Sequence, residues 1–129
     1  MVEVEIRGKK FPLCLTVAAL DKVNEKCGGL GKLSDFMKGY GDSAKATYNI
    51  AWMLGLMISE GEENRLITAR FEGEKAVRKE VPDSAAICHF LTPGELRQYR
   101  AAVYEAVNES LKQEIEADYP KNAENAERE

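Results

Sequence analysis

A chain of 129 residues, 44% hydrophobic and 31% charged, has room for one core and is too apolar to be disordered along its whole length. The net charge of -4 comes from one end: from Glu114 to Glu129 six acids stand against Lys121 and Arg128, so the body up to Gln113 is neutral. A neutral body with an acidic tail offers no electrostatic footprint for nucleic acid, and no apolar run reaches the length of a membrane span.

Val2, Val4 and Ile6 alternate with Glu3, Glu5 and Arg7, the period of a half-buried strand and not the order of a signal peptide. Gly8-Lys9 reads as a two-residue turn. It would pair Arg7 with Lys10, Ile6 with Phe11, Val4 with Leu13 and Val2 with Leu15, all apolar residues on one face. Pro12 resists this register. It would face Glu5 at a hydrogen-bonded pair, where it has no N–H to give. Thr16 is a candidate N-cap for a helix carrying Val17, Leu20, Val23, Asn24 and Cys27, which Gly28-Gly29 stops. A short helix fits Leu30 to Lys38 with Leu33, Phe36 and Met37 inward.

Asp42 or Ser43 caps the central helix. Its run Tyr48 to Ile58 holds the only Trp and two of the four Met, and it is apolar nearly all round, so it must be buried on more than one side. Gly61 is expected to end it near Ser59. Asn64 to Phe71 reads as further helix with Leu66, Ile67 and Arg70 on one side, and a strand over Leu66 to Phe71 is the alternative. Glu72 to Glu80 reads as a solvated loop. Asp83 or Ser84 caps a turn of helix through Ala85, Ile87, Cys88 and Leu91.

Thr92-Pro-Gly-Glu95 carries an N-cap, a proline at the first helical position and a capping-box carboxylate. Leu96, Tyr99, Val103, Val107 and Leu111 then form one stripe, with Arg97, Glu105, Glu109, Lys112 and Glu116 on the wet side and Pro120 ending the helix. Together these elements predict a mostly helical α+β fold, an N-terminal β-hairpin packed on a small bundle of about four to five helices. Residues 1–119 form a single globular domain. Residues 120–129 form a disordered acidic tail, because Lys121 to Glu129 has no large apolar residue to bury.

No chemical constellation stands out. Cys14, Cys27 and Cys88 are odd in number, which suits free thiols of a cytoplasmic protein, and no two of them make the short spacing that a zinc site with His89 would need. Cys88 and His89 are neighbours and point about 100° apart on a helix, so they are no nucleophile–base pair. Gly28-Gly-Leu-Gly31-Lys32 lacks the hydroxyl residue and the preceding strand of a phosphate loop. The scattered acids give no catalytic pair, and Arg70, Lys75, Arg78 and Lys79 are interleaved with Glu72, Glu74 and Glu80. The expectation is a non-enzyme without metal or cofactor. What remains is surface: Trp52, Leu56 and Met57 lie off the main stripe of the central helix. They are core if they pack under the hairpin or the last helix, and a site for an apolar partner helix if they are exposed together.

The hairpin, the helix opening Thr16-Val-Ala-Ala-Leu20, the run Ile50-Ala-Trp-Met-Leu-Gly-Leu56, and Leu91-Thr-Pro-Gly-Glu-Leu96 leading to Ala101-Ala-Val103 resemble the tail assembly chaperones of long-tailed bacteriophages and prophages. The resemblance spans about residues 2 to 112 as a pattern, and Glu62 to Pro82 has no counterpart in it. It implies no catalysis. It implies a holdase of the host cytoplasm, absent from the mature virion, that binds the helical tape measure protein and helps recruit tail tube protein. Some members also occur in a longer form made by ribosomal frameshifting. A homo-oligomer fits as well. The alternatives are a structural phage component, such as a head-tail connector or minor tail protein, and a small regulatory binding protein.

Overall fold

The structure, a computed structural model, describes residues 1–118, and the expected tail over 120–129 lies outside them. The fold is mostly helical α+β with an N-terminal hairpin. Its axis is α3, Ser43–Phe71, ~43 Å long at 1.5 Å per residue. Asp42 is the N-cap, its carboxylate accepting from the N–H groups of Ala44 and Lys45. Contrary to the expected stop near Ser59, the helix runs through Gly61 into the segment read as further helix. Gly61 is there for proximity: a Cβ on it would lie 2.4 Å from the carbonyl oxygen of Pro12. The close approach of the hairpin, and not a chain reversal, explains the glycine.

The hairpin consists of β1, Glu3–Ile6, and β2, Lys9–Pro12. Its register differs from the expected one by two residues: Ile6 pairs with Lys9, Val4 with Phe11 and Glu3 with Pro12. The turn is Arg7-Gly8, with φ of 50° and 88°, the two positive angles of a type I′ turn. Leu13 N–H donates to the Val2 carbonyl at 2.9 Å, which makes the Val2, Val4 and Ile6 pairs the hydrogen-bonded ones. Pro12 then falls at a non-hydrogen-bonded pair, where its missing N–H leaves no gap in the ladder. Side chains alternate with period two, so the shift keeps Val4, Ile6 and Leu13 on the buried face.

Around α3 stand α1, Val17–Cys27; α2, Leu33–Met37; and α4, Ser84–Phe90. Thr16 caps α1, and Gly28 closes it in the left-handed conformation. The buried residues of α1 are Ala19, Val23 and Cys27, while Val17 stands exposed. A 3-10 turn over Leu30–Lys32 leads into α2, which buries Leu33, Phe36 and Met37 as expected. Asp83 caps α4, which buries Ile87, whereas Ala85 points outward.

The last helical stretch begins with the full Thr92–Glu95 capping box as α5, Pro93–Leu96. It tightens to a 3-10 turn at Arg97–Tyr99 and continues as α6, Arg100–Asp118. The expected stripe survives this change: Leu96, Val103 and Val107 are buried, and Tyr99 and Leu111 are half-buried. One core unites the buried residues of the hairpin and the helices around α3.

At the α3–α4 crossing the two backbones touch. A Cβ on Gly55 would lie 2.4 Å from the Cα of Ser84, and the Ser84 hydroxyl donates to the Trp52 carbonyl at 2.6 Å. An exposed helical Gly→Ala change is worth about 0.5–1 kcal/mol of added stability. Gly55→Ala should instead cost about 1–3 kcal/mol, as overpacking against rigid backbone does. Thermal unfolding checks the sign: a raised melting temperature would show that α4 does not lie on α3 at this point.

Candidate partner-binding site

The buried polar side chains among the described residues are Asn49, Glu60 and Glu62, and all three belong to α3. Each fastens a different segment. Asn49 Nδ2 donates to the Phe36 carbonyl of α2 at 2.7 Å. The Glu60 carboxylate accepts from the Thr16 hydroxyl, the α1 cap, at 2.6 Å. Glu62 accepts from Arg65 through Nε at 2.9 Å and Nη2 at 2.7 Å, and from the Lys79 N–H at 2.6 Å. The Arg65 Nη2 also donates to the Val77 carbonyl at 2.7 Å. Beside this clamp, Arg78 is ion-paired with Glu63. Arg65 holds the Glu62 carboxyl down to a pKa of about 2, helped by the Lys79 N–H, against burial, which pushes it up.

These fasteners leave little of the expected site on the surface. Leu56 is 5% exposed and Met57 fully buried, so both belong to the core and neither is available to a partner in this fold. Trp52 is half-buried, edge-on to Phe36 with ring centroids 5.8 Å apart, and the Lys26 ammonium lies 5.4 Å from its ring centre. Of the three, only Trp52 reaches solvent, and its outer face is shared with α1. From Ile50 to Ile58 the apolar faces of the central helix are consumed within the chain, because α3 is packed there among its neighbours, while Ile67 and Phe71 near its end stand exposed.

An apolar face does stay open, on α4. Ala86, His89 and Phe90 follow i, i+3, i+4 spacing and line a cleft of about 570 Å³. The opposite wall is Ile6 and Phe11 of the hairpin, and Pro82 closes one side. Phe90 is 45% exposed. Arg7 holds the rim in place. Its guanidinium bonds Glu95 through Nη2 at 2.8 and 2.9 Å and through Nε at 3.2 Å, and lies 4.0 Å from the centre of the Phe90 ring. Glu95 thereby joins the hairpin tip to the capping box, and the Thr92 N–H, with Arg7 after it, lowers its pKa. Lys9, on the same cleft, forms no ion pair among the described residues.

Sequence reasoning assigned α4 only its buried side and passed over Phe90.

The thiols are not poised for chemistry. Burial, then Glu60, raises the pKa of Cys14; burial raises that of Cys88. Both thiols are thus protonated at neutral pH, the reverse of an activated nucleophile. Cys27 is buried and donates its S–H to the Gly29 carbonyl at 3.2 Å. His89 stands exposed on the cleft. Among the described residues no three His, Cys, Asp or Glu side chains gather as metal ligands, and no helix is long and apolar enough to cross a membrane. The chain matches no protein family profile, no curated protein and no solved structure.

Two outcomes follow from this placement. Leu56→Ala should cost about 2–5 kcal/mol, as a large-to-small change in a core does; a melting temperature near that of the parent chain would return Leu56 to the surface. Glu62 contributes stability that is present above its unfolded pKa near 4.5 and is lost as pH falls from there toward about 2. The melting-temperature gap between the parent chain and Glu62→Gln should therefore be widest near neutral pH and shrink through that window. A gap that does not change between pH 7 and 2.5 would mean that the carboxylate is not bound in the folded state.

Proposed function

We propose that this chain is a non-enzymatic tail assembly chaperone of a long-tailed phage or prophage. In this reading it holds the helical tape measure protein in the host cytoplasm, helps recruit tail tube protein and does not remain in the mature virion. The order of elements that carries the resemblance supports it: hairpin, capped α1, apolar α3 and a capping box that opens the last helical stretch follow one another along the chain. The observation that carries the binding role is the partly open Ala86–His89–Phe90 face of α4 against the hairpin.

A partner helix presenting one or two large apolar side chains fits such a cleft, and burying an aromatic side chain there is worth about 1.5–3 kcal/mol. Lys9 stands ready for a partner carboxylate at the rim. Because Arg7 and Glu95 pin the hairpin tip to α5, the cleft is pre-formed, which lowers the ordering cost of binding.

Co-expression with the tape measure protein of the same phage tests the proposal. The chain should co-purify with it. Phe90→Ser should abolish co-purification while leaving the far-ultraviolet circular dichroism unchanged. Absence of a complex, or the chain's recovery as a stoichiometric part of purified virions, would overturn the chaperone assignment. A complex that tolerates Phe90→Ser would move the contact off the cleft.

A further inference from the structure

From Glu74 to Asp83 the chain forms a strap with no helix, strand or turn. Between the Glu74 N–H, which reaches Ala69, and the start of α4, the strap makes no backbone–backbone hydrogen bond. It lies against α3 all the same, held by side chains of that helix: Arg65 takes the Val77 carbonyl and Glu62 takes the Lys79 N–H. A carbonyl and an N–H two residues further on, both turned to one side, are what an extended chain offers to a neighbouring strand. The Glu62–Arg65 pair thus does for the strap what a sheet edge would do.

Around Val77 and Lys79 the strap's own side chains contribute little to this docking, while Val81 further on packs against the core. Val77 is 84% exposed, and Lys79 is exposed. From Val77 to Lys79, Arg78 alone adds a specific side-chain contact, its ion pair with Glu63. A socket that reads main-chain groups is indifferent to most side chains, as in strand-addition recognition. Glu62 is 5% exposed and keeps its charge under the strap, so any chain that takes the strap's place must supply the same N–H.

We propose that the α3 surface at Glu62, Glu63 and Arg65 is a binding site for an extended polypeptide segment with a central basic residue, and that the chain's own Val77–Lys79 occupies it in the free protein. A partner segment enters by displacing the strap. None of Glu62, Glu63 and Arg65 lines the Phe90 cleft, which the strap only borders through Glu80 and Pro82, and the inference does not depend on the chaperone reading.

The experiment uses the full chain with residues 76–80 replaced by Gly and Ser, and a labelled peptide of residues 74–82. The peptide should bind the replaced chain at least about tenfold more tightly than the intact one, where the tethered strap competes at high effective concentration. Putting proline at the Lys79 position of the peptide removes the N–H and should weaken binding by about tenfold or more, while alanine at the Val77 position should not. Glu62→Gln in the replaced chain should weaken binding likewise. A folded replaced chain that ignores the peptide, or that binds the proline peptide equally well, overturns the proposal. If the replaced chain does not fold, hydrogen exchange of the intact chain decides. The Lys79 amide should exchange while those of Met53 and Leu54 stay protected. Exchange of Lys79 only together with those core amides would mean that the strap cannot be displaced, and the site would be refuted.

Discussion

Among the described residues, α2, the α1 cap and the strap are each fastened to one helix, and the fastening uses buried polar groups. Asn49, Glu60 and Glu62 lie along α3 and hold α2, the α1 cap and the strap in turn. Two helix carbonyls do similar work, Trp52 for Ser84 and Met57 for the Cys14 N–H. Removing a carboxylate from water costs several kcal/mol unless its oxygens are satisfied. That cost is what gives the arrangement its specificity. Apolar contacts between α3 and its neighbours would tolerate sliding, whereas a buried Glu62 without the Lys79 N–H and Arg65 would not be tolerated.

The same helix dispenses with side chains where backbone must come close. Gly55 admits Ser84 of α4, and Gly61 admits the Pro12 carbonyl at the end of the hairpin. Both glycines carry the usual penalty of about 1 kcal/mol inside a helix. At each, the gain is a contact that a Cβ would forbid. The hairpin, itself too small to be stable alone, thereby gains a support along its length. At its other end the Arg7 side chain reaches Glu95 and Phe90, which offsets the strain of a non-glycine residue at φ of 50°.

These two fixings define the surface left for partners. The hairpin is held at Pro12 and at Arg7, and α4 is held at Ser84, so the space between Ile6, Phe11 and Phe90 persists as a cleft that no side chain of the described residues fills. The strap, in contrast, is held over Val77–Lys79 by a few charged groups that leave Val77 in water, and Val81 returns it to the core. The molecule thus offers a rigid apolar seat and, bordering it through Pro82, a segment whose middle is tied by charge and hydrogen bonds.

Local chemistry sufficed for what the sequence determined by itself. The Thr92–Glu95 capping box, the Thr16 and Asp83 caps and the alternation of Val2, Val4 and Ile6 each depend on residues within a few positions, and each is realised. So is the inward stripe of the last helix, because helical period outlasts a single 3-10 turn. Tertiary structure decided whatever needed a distant partner. The hairpin register turned on where Pro12 could do without an N–H. Gly61 reads as a stop until the Pro12 carbonyl is seen against it. Leu56 and Met57 look surplus to a helix already apolar on one side, and only the packing of α3 among its neighbours makes them core. Glu62 and Lys79 read as ordinary surface charges, since nothing local reports that a carboxylate will be buried against an N–H seventeen residues away.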